Sequence, residues 1–176
     1  MARQLGVDRV GLPLAADLIA SFEKEGYLQG DGILHLASRL AHQHIEQWIA
    51  EDMCRTPKAD ITAVAASKQA IDAMNARRAT MIEEINQWFE KSFISVPDAP
   101  LHTETFGSVV DRLGIAWVRS RRLSGDQQFP DHVVARQALK QLVELAEAYD
   151  CLVRDLRHGR RRVPRWKLLK SYGTSS

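Results

Sequence analysis

The sequence is short of several things at once, and each shortage removes a class of protein. It has two cysteines, Cys54 and Cys151, 97 residues apart and with no CxxC. Neither a disulfide framework nor a zinc finger fits that spacing. No apolar run approaches the roughly 20 residues of a membrane span. The first 20 residues, MARQLGVDRVGLPLAADLIA, hold no long apolar core and no clear cleavage site, so no signal peptide is read there. Period-two alternation and hairpin dipeptides are missing, which removes the all-β classes. There is no GxGxxG, Walker loop, GxSxG or HExxH. The expectation is a soluble, cytoplasmic domain.

What is present is enough for an ordinary core: 176 residues, 45% of them hydrophobic, with 24 basic and 22 acidic side chains. The net charge of +2 is an average over unlike parts. Residues 154–170 carry a local +7, leaving −5 on the rest.

Gly and Pro punctuate long helical stretches. Pro13 suits the first turn of a helix over 12–26 that Gly26 ends. Asp31 caps a second helix, to about Arg55 and stopped by Pro57. Asp60 caps a third, to about Phe93; Thr103 begins a fourth, to about Leu123; and a fifth spans about 131–158. The helices would be roughly 30–50 Å long. Long helices on short loops pack as antiparallel bundles. The expected fold is all-α, an antiparallel bundle of four to five long helices in a single domain over 1–176. Residues 1–30 are read as a looser helical appendage and 159–176 as a basic C-terminal tail.

The third helix is the most informative. Its seam reads Ile61, Val64, Lys68, Ile71, Asn75, Arg78, Ile82, Ile85 and Phe89, and six of the nine are apolar. That stripe fixes the inward face, so Lys68, Asn75 and Arg78 should point into the bundle. Asp72 lies four residues from Lys68, and Glu83 borders the stripe beyond Arg78. The second helix carries His44, Trp48, Glu51, Asp52 and Arg55 on the facing stripe. The fourth begins with Glu104, Gly107, Ser108, Asp111 and Arg112, where Gly107 and Gly114 allow close approach. Buried charges need partners. One reading is a structural ion network pairing Lys68 with Asp72, Arg78 with Glu51 and Arg112 with Glu104. The favoured one is a polar pocket between helices, where bundle ligands usually sit.

The runs Trp48-Ile-Ala-Glu51-Asp52-Met-Cys-Arg55, Lys68-x-x-Ile71-Asp72-x-x-Asn75-x-x-Arg78-x-x-x-Ile82-Glu83 and Glu104-Thr-Phe-Gly107-Ser108-Val-Val-Asp111-Arg112-Leu113 share one pattern. They resemble a bacterial all-helical family of unknown function, number forty-two fifty-four, over about residues 35–125 and more loosely at Lys170-Ser-Tyr172. Its members tend to sit among glycosyltransferase genes for surface polysaccharides, so the resemblance implies sugar or nucleotide-sugar chemistry. The sequence departs from the family pattern at His44, where Asn is expected, and at Ala79-Thr80, which replace a polar pair.

The residues permit acid/base catalysis by Glu51, Glu83, Glu104 or His44. Asp52, Arg55, Lys68, Asp72, Asn75, Arg78, Ser108, Asp111 and Arg112 would then bind a small anionic metabolite. Glu51, Asp52 and Glu83 are the candidate ligands should Mg²⁺ assist, although neither carboxylate spacing of the helical nucleotide pyrophosphohydrolases is complete. The identity of any cofactor stays open. A faint likeness of Ile71-Asp72-x-x-Asn75 to the opening helix of a small chorismate mutase carries little weight. His42 and His44 face different directions, and the other histidines read as surface or loop residues. The alternative is a non-catalytic module that partners a glycosyltransferase or another biosynthetic subunit. Self-association as a homo-oligomer is also compatible. Gly159 and Pro164 interrupt the basic tail and the acidic body would repel a phosphate backbone, so nucleic acid is not the expected partner. A solvated or intersubunit tail is the favoured reading, ahead of an arm over an anionic substrate.

Overall fold

The computed structural model describes residues 11–24, 30–54, 61–125 and 132–166; the side chains of residues 53, 54, 61–65, 67, 68 and 125 lie outside the description. It holds five helices: α1 (Ala15–Phe22), α2 (Ile33–Cys54), α3 (Ile61–Ser92), α4 (Phe106–Gly125) and α5 (His132–Arg157). The all-α bundle expected from the sequence is the architecture found, and the described residues include no strand. Among them, no helix is long and apolar enough to cross a membrane.

α3 runs 32 residues because nothing in it stops a helix: the segment has no Gly and no Pro. Its pairing with α2 is antiparallel and can be read rung by rung. Arg39 meets Glu84 at 3.0 Å, Glu46 meets Arg77 at 3.4 Å, and Gln47 Nε2 donates to Asn75 Oδ1 at 3.2 Å. α4 in turn runs antiparallel to α3, with Gly107 beside Asn86 and Asp111 beside Arg78. Aromatic rings join the layers at one end. Phe89 stacks on Phe93 (centroids 5.1 Å) and on Phe106 (4.6 Å), and Phe106 reaches Tyr149 of α5 at 6.1 Å. Burial pushes the Tyr149 phenol well above its ordinary pKa, so it stays neutral, and it donates to the Pro13 carbonyl at 3.1 Å.

Three boundaries differ from the sequence expectation. The first helix occupies only 15–22 of the expected 12–26, and Gly26 lies outside the described residues. Far from being loosely attached, α1 is pinned at its start. The Ala15 N–H donates to Asp150 Oδ1 at 2.8 Å, Arg157 donates to the Leu12 carbonyl, and Leu18 and Phe22 are buried. At α2 the exposed Asp31 is not the cap; the Gly32 carbonyl accepts the first helical bond, from Leu36. The expected stops and caps at Arg55, Pro57 and Asp60 lie outside the described residues.

α4 starts at Phe106 rather than Thr103, because Thr105 makes the better cap. Its Oγ1 accepts from the Ser108 backbone N–H at 3.2 Å while its carbonyl accepts from Val109. Thr105→Ala should therefore cost about 1 kcal/mol of stability. Urea unfolding checks it: an unchanged midpoint would mean that the cap contributes nothing.

α5 ends on a Schellman turn. The Arg160 N–H donates to the Asp155 carbonyl (2.8 Å) and the Gly159 N–H to that of Leu156 (3.0 Å). Gly159 sits at φ +66°, a conformation that favours glycine, and a Cβ there would lie 2.7 Å from Val96 Cγ2. The turn sends the basic segment back across the α3–α4 connection. The Arg162 N–H donates to Pro100 O (3.0 Å), the His102 N–H donates to Arg162 O (2.7 Å), and Arg162 Nε donates to Ala99 O (2.9 Å). Val163 and Pro164 are buried. Through Pro164 the segment is packed as a strap, and Arg165 and Trp166 beyond it are exposed; the rest of the expected solvated or intersubunit tail lies outside the described residues. Arg160 and Arg161 are partnered by Asp155, at 2.9 and 3.7 Å.

Candidate functional site

The antiparallel registers bring α2 position 44, α3 position 78 and α4 position 111 to one level. There Asp111, with 6% of its side chain exposed, accepts from two neighbours. Arg78 grips it with two bonds, Nε to Oδ1 at 2.8 Å and Nη2 to Oδ2 at 2.5 Å. His44 Nε2 donates to Oδ1 at 2.9 Å. Burial alone would raise the Asp111 carboxyl, but the hydrogen bonds from Arg78 and His44 outweigh it and hold the pKa below the ordinary aspartate value. The same bidentate bond raises Arg78, so this pair is ionised throughout the working range.

Small residues let the three helices come this close. A Cβ on Gly107 would be driven into the Ile82 carbonyl oxygen and would lie 2.8 Å from Asn86 Oδ1, which accepts the Gly107 N–H at 2.7 Å. One at Gly114 would lie 3.3 Å from the His44 ring.

Arg78 forms a partition. On one side, between α3 and α4, lies a cavity of about 500 Å³ lined by Asn75, Glu104, Thr105, Ser108, Arg112 and Trp166 among others. Within it Arg112 holds Glu104 at both oxygens, 2.7 Å to Oε2 and 2.6 Å to Oε1, which raises the Arg112 pKa. Ser108 Oγ and Thr105 Oγ1 share a hydrogen bond at 2.9 Å. On the other side is a smaller cavity of about 190 Å³, lined by His44, Gln47, Trp48, Glu51 and Arg119. Gln47 Nε2 bridges Glu51 Oε1 (3.1 Å) and Asn75 Oδ1 (3.2 Å).

The residues singled out in the sequence are therefore divided. Arg78, Asn75, Ser108, Asp111, Arg112 and Glu104 share the large cavity, whereas His44 and Glu51 share the small one. Glu83 belongs to neither; it lines a third hollow with Asn86, Glu90, Arg165 and Trp166. Asp52 and Asp72 are exposed. Arg55 and the Lys68 side chain lie outside the described residues.

Two corrections follow. Arg78 pairs with Asp111, not Glu51, because the register sets Glu51 about two turns of α2 beyond the level of Arg78. The Arg112–Glu104 pair is found as expected. Glu51, Asp52 and Glu83 also cannot share an ion. Glu84 is level with Arg39, so Glu51 lies about 18 Å further along α2 at 1.5 Å per residue. Among the described residues, no three His, Cys, Asp or Glu side chains converge on a possible metal position.

Sequence reasoning missed Gln47, Asn86 and Trp166. Gln47 stands one turn before Glu51 and one turn after His44, a helical spacing that was available in the sequence. Asn86 and Trp166 carried no such signal, since each is defined by a segment remote in the chain. His102 is likewise not a bystander, its Nδ1 accepting from the Glu104 N–H at 3.1 Å and so shaping the cavity rim.

Comparison with curated proteins and with solved structures returns no match. A family model described as "Protein of unknown function (DUF4254)" matches residues 34–164, a span that holds all but the first residue of α2 through α5 and every residue named above as lining the two cavities except Trp166, and the chain belongs to that family.

Proposed function

We propose that this protein is a small all-α enzyme that binds a sugar- or nucleotide-derived anionic metabolite in the large cavity between α3 and α4. The observation that carries the reading is the pair of guanidinium groups lining it, Arg78 from α3 and Arg112 from α4, each held in plane by a carboxylate. Fixed in this way, they meet a ligand without first losing side-chain freedom. A volume of about 500 Å³ accommodates a molecule of metabolite size. Glu104 is the carboxylate placed to move a proton to or from a ligand hydroxyl, since 27% of its side chain is exposed whereas Asp111 is buried. A bacterial setting among surface-polysaccharide glycosyltransferase genes, which the family resemblance implies, agrees with a sugar nucleotide as substrate, as does a place in the cytoplasm.

A thermal-shift screen of sugar nucleotides, nucleotides and sugar phosphates, with and without Mg²⁺, tests this. A true ligand raises the melting temperature, adding about 2.7 kcal/mol at a hundred times its Kd. Glu104→Gln should abolish turnover of that ligand and leave the helical circular dichroism intact, because glutamine still accepts from Arg112. If no class of ligand shifts the transition, the enzyme reading fails.

A second reading, a non-catalytic module docking on a biosynthetic partner or on another copy of itself, is favoured by one observation. Leu139 and Val143 on α5 are half exposed, at 51% and 49%. Partner capture with no ligand-dependent shift would select it.

A further inference from the structure

Trp166 is the one aromatic among the residues lining the large cavity, and its placement is built, not incidental. The strap is fixed to the α3–α4 connection by the three Arg162 hydrogen bonds and by buried Val163 and Pro164, two residues before the indole. Trp166 is nevertheless 56% exposed, so its side chain is accessible at the cavity.

The wall behind it has a particular electrostatic character. Arg78 is neutralised by Asp111 and Arg112 by Glu104, so the formal charges of the ionised lining residues cancel. A phosphate drawn to either guanidinium would also meet the carboxylate holding it. A hydroxyl both donates and accepts, so it is served by both members of the accessible Arg112–Glu104 pair. Asn75 and Ser108 offer the same dual character, and Ala79, Ile82 and Ile115 supply apolar surface for the body of a ring.

We infer that the cavity takes an uncharged polyhydroxylated ring, a sugar, laid flat on the indole face of Trp166, with any phosphate of the ligand held outside the rim. The C–H groups of such a ring meet the negative face of the indole, and its hydroxyls reach the Arg–carboxylate wall. This rests on the reading of the cavity as a ligand site and narrows it to the part of the ligand that is recognised.

Calorimetric titration of the full chain separates the two. The probes are a sugar nucleotide, its free nucleoside diphosphate, the matching methyl pyranoside and inorganic phosphate. The sugar nucleotide should bind at least about tenfold more tightly than the nucleoside diphosphate. Its affinity should change little from low to high salt, as expected for a charge-cancelled wall. Trp166→Ala should weaken sugar-nucleotide binding about tenfold with an unchanged melting temperature, and Trp166→Phe should recover most of it. Suppose instead that nucleoside diphosphate or phosphate binds as tightly as the sugar nucleotide, or that Trp166→Ala has no effect. The cavity is then an anion or base site, and the sugar inference falls while the ligand-site reading stands. Failure of the wild-type chain to bind any of the four probes overturns both.

Discussion

Asp111→Ala should cost about 3 kcal/mol of folding stability, the lower end of the range for breaking a buried ion pair, because Arg78 retains 30% exposure and can recover some hydration. Removing the carboxylate strands a guanidinium and an imidazole donor on a level where three helices meet. Asp111→Asn keeps the shape and still accepts from Arg78, but its amide can no longer accept at both oxygen positions, so an intermediate loss is expected. The pH dependence has a definite sign. The folded-state pKa of Asp111 is depressed, so its contribution is whole above the ordinary aspartate value of about 4 and disappears as pH falls below that through the folded-state value. Urea unfolding of the wild type and Asp111→Asn from pH 7 down to pH 2 checks this. The two should differ most at neutral pH and converge in acid; a gap independent of pH would mean that charge is not what Asp111 contributes.

Gly107→Ala should be nearly as damaging, at about 3 kcal/mol, although the change adds a single methyl group. An exposed Gly→Ala exchange inside a helix ordinarily gains about 1 kcal/mol. Here the new Cβ is driven into the Ile82 carbonyl oxygen, which belongs to the backbone of α3 and cannot rotate aside. Relief requires α3 and α4 to separate, and that in turn stretches the Asn86–Gly107 hydrogen bond and the Arg78–Asp111 grip. Gly114→Ala is the internal control. Its Cβ would meet a histidine ring at 3.3 Å, and a side chain can give by a few tenths of an ångström. Thermal unfolding of the two variants should therefore separate them clearly. Equal melting temperatures would show that the α3–α4 spacing is not as rigid as the glycine contact implies.

Much of the bundle was legible because helix-period patterns report which face a residue uses. The stripe through Asn75, Arg78 and Ile82 predicted polar groups inside the bundle, and Arg78 is indeed there. What the stripe does not report is height. Periodicity treats Glu51 and His44 as equivalent neighbours on α2, yet only His44 stands level with Arg78, and that level is set by the α2–α3 register. Partner choice was lost for the same reason: Asp111, expected to bind substrate, proved to be the centre of the ion network. The packing of the basic segment up to Pro164 was not legible because net charge says nothing about backbone pairing. Arg162 is held by main-chain groups of residues 99, 100 and 102, a relation with no counterpart in local composition. Thr105 against Thr103 is a smaller instance, decided by which hydroxyl reaches the Ser108 N–H.

The backbone bridge between Leu101 and Arg162 has a consequence for the order of assembly. The α2–α3 hairpin forms from chain neighbours, and its rungs can close without reference to the last third of the sequence. The rim of the large cavity joins a connection near residue 101 to a strap near residue 162, and two helices must dock before these meet. Loop closure over so long a stretch is paid for only after α4 and α5 are in place. The rim of the cavity is thus expected to close late in folding, after α4 and α5 have docked.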